Sequence, residues 1–357
     1  MKRVKSAGFV MTLMFVVSTS LFQVRANESD REVKVMTYNM YLGADLAPIF
    51  DQTLTPEQVF QQVGAAFADM EAGSVPERIE EIADQIASES PDLVGLQEVA
   101  LWRYGTFFDP APSQTVAYDF LQILLDELAE RGVHYEPIVI QTNLDAEVPG
   151  IISPTDVRDI RYTDRVVILA RTDLQTSRLK IEGTASGTFQ TLLPVPFLGR
   201  TIYVQRGWTL ADVKHRGKTY RFVNAHTEAF NELVQYYQTL EILGGPAATE
   251  GTVILVGDFN SNAAAGGASY LLMLGQGFTD VWSVLEAPNT GLTWPLYYED
   301  PSDFLTPTER LDLILARGDL TFSDIDVVGE DPVSDLTTSG LRPSDHAGVT
   351  ATVVLQP

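Results

Sequence analysis

The chain has 357 residues, 45% of them hydrophobic and 10% aromatic, an ordinary globular composition with enough length for a large core, so a disordered tail or a fibre is excluded. It contains no cysteine, which excludes disulfides, thiolate metal sites, a cysteine nucleophile and a lipid-anchored cysteine; any metal must bind oxygen or nitrogen. A formal net charge of −24 gives a surface that repels polyanions and argues against tight non-specific binding of DNA.

The N-terminus follows a secretory pattern. Lys2, Arg3 and Lys5 precede an apolar stretch from Phe9 to Val17, and Val24-Arg25-Ala26 places small or aliphatic residues where a signal peptidase reads. Cleavage is expected after Ala26, because the apolar run is shorter than the ~20 residues that span a bilayer. The exported protein, periplasmic or extracellular, would then be residues 27–357, with a charge near −28 once Lys2, Arg3, Lys5 and Arg25 are subtracted from −24. No internal repeat, low-complexity tract or linker divides those residues, so a single domain is expected over 27–357.

Short apolar runs of strand character then alternate with amphipathic stretches, the pattern of a mixed α/β domain. Glu32–Tyr38 reads as a strand ending at Asn39. Thr55-Pro56-Glu57-Gln58 reads as an N-cap, a first-turn proline and a capping-box partner, opening a helix through Phe67. From Pro76 to Ser88, Ile79, Ile82, Ala83 and Ile86 share one helical face, and Asp92–Leu96 is the strand that leads to Glu98. Trp102–Thr115 reads as a loop, Phe120 to Leu128 as a helix, and Thr142–Tyr162, with its prolines, glycine and acids, as a second long loop before the strand Arg165–Ala170. Gly183–Gly199 carries Phe189, Leu192, Leu193, Val195 and Phe197 around two prolines; it reads either as a packed surface hairpin or as an apolar rim that touches a substrate or lipid surface. Further strands are expected at Tyr220–Asn224, Thr252–Val256, Leu311–Ala316 and Gly348–Leu355.

The informative feature is what stands at the ends of these runs. Asn39, Glu98, His226, and Asp258 with Asn260 each follow a strand, and strand ends that converge on one sheet edge can line a single cleft. Asn39, Glu98 and Asp345 are the oxygen ligands that Mg²⁺ accepts, with Mn²⁺ or Ca²⁺ as alternatives. Asp258 could take a proton from a water if Asn260 fixed the phosphate or the carboxylate, and His226 and His346 could hydrogen bond charged oxygens. Asp312 lies inside Leu311–Leu315, where a lone charge is costly, so a partner is expected and His346 is the natural one. Any one of these taken alone could be a turn former or a structural residue.

In order, Thr37-Tyr38-Asn39, Leu96-Gln97-Glu98, Asn224-Ala225-His226-Thr227, Gly257-Asp258-Phe259-Asn260, Arg310-Leu311-Asp312 and Ser344-Asp345-His346 resemble the endonuclease/exonuclease/phosphatase superfamily over nearly the whole chain after Ala26. The resemblance implies a four-layer α/β/β/α sandwich of two mixed sheets with helices outside both. It implies Glu98 as principal metal ligand with Asn39 and Asp345, Asp258 orienting or deprotonating the attacking water, Asn260 and His226 on the phosphate, and His346 polarised by Asp312. The chain departs from the family where Tyr162-Thr163-Asp164-Arg165 leads into Val166–Arg171; Tyr162 or Arg165 would reach the substrate there, with Asp164 a further candidate. Thr293-Trp294 resembles the family's Thr-aromatic element, and Trp294 would line the leaving-group side or pack in the core.

The expected activity is metal-assisted hydrolysis of a phosphodiester or phosphomonoester. A lipid or small-molecule ester ranks slightly above nucleic acid, because the chain lacks a clustered basic groove. The alternatives are a secreted deoxyribonuclease-like nuclease and a non-catalytic binding module on the same scaffold. No obligate protein partner is evident.

Overall fold

The computed structural model describes residues 31–298 and 300–356; the expected signal segment and its cleavage point lie outside them. In chain order the strands are β1 (Glu32–Asn39), β2 (Leu93–Gln97), β3 (Leu101–Thr106), β4 (Thr115–Asp119), β5 (Tyr135–Ser153), β6 (Asp156–Arg171), β7 (Lys180–Thr188), β8 (Leu193–Phe197), β9 (Arg200–Val204), β10 (Gly207–His215), β11 (Lys218–His226), β12 (Thr252–Asp258), β13 (Thr279–Asp280), β14 (Asp312–Arg317), β15 (Leu320–Val328) and β16 (Gly348–Leu355). The helices are α1 (Pro56–Ala72), α2 (Val75–Glu89), α3 (Phe120–Glu130), α4 (Glu232–Gly244), α5 (Ala268–Gly275) and α6 (Val281–Leu285).

One mixed sheet runs β15-β16-β1-β2-β6-β3-β4, with β5 along the other flank of β6; the second runs β13-β14-β12-β11-β10-β7. The alternation of each central strand explains the stacking, because successive side chains point to opposite faces. Val33, Val35, Leu93 and Ile168 meet Phe222, Ile254, Val256 and Ile314 in a core between the sheets. Met36, Tyr38, Val94 and Leu96 turn outward onto Phe67, Ile79, Ile82 and Leu124 of the helices covering the first sheet. Val223, Val253, Leu255 and Leu313 turn outward onto Ile242, Tyr270 and Met273, which cover the second. The result is the expected α/β/β/α order, and strands buried on both faces read as unbroken apolar runs.

The sheets are also locked to each other by polar groups. Asn224 donates across the gap to the carbonyls of Leu96 (3.1 Å) and Val167 (3.0 Å), and its own carbonyl accepts from Gln97 at 2.7 Å. Gly95 makes room for this, since a Cβ there would stand 2.9 Å from the Asn224 amide carbon and 2.7 Å from a Val256 methyl.

The helix expectations hold, including the capping box. Gln58 N–H donates to the Thr55 hydroxyl, and the Gln58 side chain accepts from Thr55 N–H at 2.9 Å. The loop expectations need correction. Thr142–Tyr162 is a hairpin arm: β5 and β6 pair from Tyr135↔Arg171 to Ser153↔Asp156. Ion pairs such as Arg161 with Asp145 (2.5 Å) line its exposed side, so the acids that suggested a loop belong to a solvated strand face. Helix α1 covers the arm, and Gly64 permits it, because a Cβ there would sit 2.2 Å from the Ile151 carbonyl. Trp102–Thr115 begins as β3, which pairs with the outer half of β6. Gly183–Gly199 holds the end of β7 and then β8, which pairs with β9 as a small surface hairpin, with Phe197 against Phe50.

Candidate active site

All the strand ends singled out above meet at one edge. Parallel pairing sets Asn39 beside Gln97 and His226 beside Asp258, and antiparallel pairing sets Asp258 opposite Asp312. The loop before β16 brings Asp345 and His346 to the same place, tied there by the Ser344 hydroxyl, which donates to the Asn39 carbonyl at 2.7 Å.

Asp258 is the most connected group. Its carboxylate accepts from Asn260 N–H (2.9 Å) and from the Asn39 side-chain amide (3.0 Å), with His226 Nε2 at 3.4 Å and His346 Nε2 at 3.8 Å. Asn39, expected as a metal ligand, thus spends its NH₂ on Asp258 and its carbonyl on Tyr41 N–H (3.0 Å); here it orients a carboxylate. Burial raises the Asp258 pKa to about 6, with Asp312 adding to the rise and His346, Asn260 and Asn39 opposing it. Asn260 (φ 50°) donates its side-chain amide to the Thr227 carbonyl at 3.0 Å, and its backbone carbonyl accepts from Gln235 of α4.

His346 Nδ1 donates to Asp312 at 2.8 Å, the partnership anticipated for that carboxylate. Thr293 holds the strand end by accepting from Leu311 N–H (3.1 Å) and Asp312 N–H (3.3 Å). Burial disfavours a charged His346, but Asp312, Asp345 and Asp258 outweigh it and raise its pKa well above the ordinary value. His226 goes the other way: burial, then Arg206 and His346, keep it neutral.

On the other side of the cleft, Glu98 is half-buried, adopts a left-handed φ of 53° and accepts from Leu42 N–H at 2.8 Å. Burial and the neighbouring Asp345 raise its pKa to about 7, while Arg206 and His346 oppose the rise. Asp345 is raised too, first by burial, against the pull of His346 and a hydrogen bond from the Trp294 side chain. A buried carboxylate whose proton affinity is raised further by a second one beside it lacks positive charge, which a hard divalent ion supplies. A second set of donors, Asp258, Asp312 and His346, has its ligand atoms within 4.8 Å of one another, and the buried Asp312 Oδ1 has no hydrogen-bond partner. The chemistry of the Glu98–Asp345 pair fits a divalent cation, whereas in the second set the charged His346 gives its ring N–H to Asp312 and is no ligand for an ion.

Three expected substrate contacts fare differently. Arg165 is directed away from the cleft: it donates to the Val99 (2.8 Å) and Ala100 (3.1 Å) carbonyls and pairs with Asp119 at 2.6 Å, fixing the cap of α3. Two of its three guanidinium nitrogens, Nε and Nη2, are spent on these acceptors. Tyr162 is buried with its ring 4.9 Å from Trp102, and its hydroxyl is held protonated by burial and by Asp164 and Glu98. Trp294 stands at the rim, 6.2 Å from the His346 ring and 5.7 Å from exposed Tyr298.

Sequence reading missed Arg206. It lies just before β10, its Nη1 is 3.0 and 3.2 Å from the two nitrogens of His226, and Asp164, Glu228 and Glu98 hold its charge against burial. Arg206-Gly207 stands before a strand as Glu98 and Asp258 stand after theirs, so the signal was a polar residue at a strand start rather than a strand end. Asp164 lies behind it, accepting from the Asn143 amide at 2.9 Å.

This fold and this edge of carboxylates, amides and histidines define a metal-dependent hydrolase of the two-sheet sandwich type. The sequence matches the Endonuclease/Exonuclease/phosphatase family over residues 36–346, and the chain belongs to that family, whose members are metal-dependent phosphoesterases, nucleases and phosphatases. Among solved structures it resembles a family protein from Bacteroides thetaiotaomicron (TM-score 0.58, 17% identity, covering 91% of this chain and 98% of that one). A mannosyl-6-phosphatase from the same organism aligns with TM-score 0.54 and 18% identity over 90% and 100% of the two chains. TDP2 from D. rerio, solved with a single-strand DNA product, aligns with TM-score 0.53 and 18% identity over 90% and 98%. No curated protein sequence matches the chain significantly.

Proposed function

We propose that the chain is an exported, Mg²⁺-dependent phosphoesterase that hydrolyses a small-molecule or lipid phosphate ester by direct attack of water. One observation carries the reading: a carboxylate pair deficient in positive charge, Glu98 with Asp345, faces a hydrogen-bonded Asp258 beside the His346–Asp312 couple at a single edge. A divalent ion bound at these oxygens would offset charge on the phosphate and on the leaving oxygen.

The remaining steps belong to the chain's own groups. Asp258, with a pKa near 6, is ionised at neutral pH yet basic enough to take a proton from water, and Asn39 and Asn260 N–H fix its orientation. Arg206, neutral His226 and the Asn260 amide would hold phosphate oxygens, and the His346 imidazolium, kept charged by Asp312, adds positive charge beside them. Trp294 and Tyr298 form an aromatic wall on the same side as His346, suited to the leaving group.

The net charge of −24 supports a small-molecule or lipid ester over a nucleic acid strand. Mn²⁺ or Ca²⁺ would suit the same oxygen donors, and the leader of residues 1–26 supports export. The test is a panel of plasmid DNA, RNA, sphingomyelin, phosphatidylinositol phosphates and phosphomonoesters, offered to residues 27–357 with Mg²⁺. Hydrolysis of an ester other than DNA or RNA, lowered at least ~10²-fold by Asp258→Ala, is the expected result. Equal turnover in that variant would remove the assignment. Secretion in an exporting host should yield a chain beginning at Asn27, read by intact mass.

A further inference from the structure

The buried arginine under the cleft floor has no role in the chemistry above. Arg78, on α2, is only 2% exposed and makes no ion pair among the described residues. Its Nε donates to the Gly73 carbonyl at 2.8 Å, its Nη1 donates to the Tyr297 hydroxyl at 2.8 Å, and its guanidinium lies 5.3 Å from the centre of the Tyr41 ring. A charge buried without a carboxylate partner is costly, so something else must make this placement favourable.

The two tyrosines that surround it belong to two loops that hydrogen bond to the candidate metal-ligand residues. Tyr41 N–H donates to Asn39, and its neighbour Leu42 donates to Glu98 at 2.8 Å. On the other loop, Leu296 N–H donates to the Asp345 backbone carbonyl at 2.8 Å, immediately before Tyr297. The Tyr41 and Tyr297 rings meet edge to face at 5.4 Å, and Arg78 touches both. Its positive charge also reaches Asp345, whose proton affinity it lowers.

We infer that Arg78 is a positioning residue for the cation site. It clamps the Asn39–Leu42 loop to the Leu296–Tyr297 loop, so that Glu98 and Asp345 stand at ion-binding separation before any ion arrives. The inference rests on the reading of Glu98 and Asp345 as the ligands of that ion.

Electrostatics and positioning predict opposite signs, which makes the idea testable. If Arg78 acted only as a nearby cation, removing its charge would tighten binding of a divalent ion. If it acts as the clamp, removal loosens the site and weakens binding, by roughly 10-fold or more for a residue that orients metal ligands. Calorimetric titration of Mn²⁺ into the metal-free protein is the measurement, with wild type, Arg78→Met, Arg78→Lys, Tyr297→Phe and Glu98→Ala compared. The expected order of affinity is wild type, then Tyr297→Phe, then Arg78→Lys, then Arg78→Met. The lysine keeps the charge but cannot reach Gly73 and Tyr297 together. Tyr297→Phe removes one hydroxyl from an otherwise intact core, so it reports even where Arg78→Met fails to fold. Unchanged or tighter binding in Tyr297→Phe and Arg78→Lys would overturn the clamp while Glu98→Ala still lost the ion. A wild type that bound no Mn²⁺ would instead remove the metal reading itself.

Discussion

The two sheets bring different kinds of carboxylate to the shared edge. The first contributes Glu98, from the end of β2, and Asp345, from the loop before β16; burial raises the proton affinity of both, and Asp345 adds to the rise at Glu98. The second contributes Asp258 and Asp312, which already have nearby partners: Asp312 accepts from His346 at 2.8 Å, and Asp258 accepts two amides beside His226. The difference teaches a division of labour. One side stores negative charge that Arg206, His346 and Arg78 offset only in part and an added cation would relieve, whereas the other side is largely internally compensated and suited to moving a proton.

The sharpest way to break this comparison is to neutralise one carboxylate on each side. Asp312→Asn leaves the buried imidazolium of His346 without its counter-charge, and losing one partner of such a pair costs about 3–5 kcal/mol. Glu98→Gln should do the reverse in metal-free protein, raising its melting temperature by relieving repulsion from Asp345, while divalent-ion binding falls sharply. Thermal melts in chelator read both variants, and a shift of the same sign in the two would erase the distinction. Next in size is Arg206, which faces His226 where the sheets meet. Arg206→Met should lower kcat/KM roughly 10-fold to 10²-fold through lost phosphate stabilisation, and should lower the melting temperature as well, because Asp164, Glu228 and Glu98 lose their buried counter-charge.

A smaller effect follows from pH. The Glu98 pKa rises from 4.5 to about 7 on folding, so between those values the folded chain holds more protons than the unfolded one. Stability of metal-free protein therefore falls as pH rises through that window, and the ion restores it by replacing the proton. The drop in melting temperature caused by chelator should grow from pH 5 to pH 8. A constant drop would mean that the carboxylate pair does not hold the ion.

The sequence was most legible where burial on both faces forced unbroken apolar runs, as in β1, β2, β11, β12 and β16, because the polar residue ending each run then stood out. The pairing of Asp312 with His346 was legible for the same reason: a charge inside Leu311–Leu315 demands a partner. The arm of β5 and β6 was not legible. Its faces are half exposed, so Asp145, Glu147 and Pro149 are tolerated within a strand and imitate a loop. Arg206 was hidden because it precedes a strand after a surface hairpin, where the chain offers no apolar run to mark it. Gln97 and Asn224 stood in the recognised motifs, yet they join the sheets rather than line the cleft. Spacing alone does not separate a polar group that locks a core from one that faces a substrate.

Arg165 provides the gentlest test, because it was read beside a substrate and stands instead in the scaffold of the first sheet. Its three bonds run to Val99, Ala100 and Asp119, two of them to carbonyls just past Glu98. Arg165→Met should remove all three bonds, leaving Ala100 with Phe120 N–H and Asp119 with the first-turn N–H groups of α3, at a cost of about 2 kcal/mol, the scale for hydrogen bonds to a charged group. KM should stay within about twofold, since nothing at the cleft is removed, and kcat should fall only as far as the Glu98 backbone shifts. Steady-state kinetics with a thermal melt separate the two readings: a raised KM with unchanged stability would return Arg165 to the substrate. Because Glu98 already holds a left-handed φ of 53°, any relaxation at Val99 reaches the ion's carboxylate first. The small loss in kcat should therefore be recovered by excess Mg²⁺, as a scaffold role requires and a substrate contact does not.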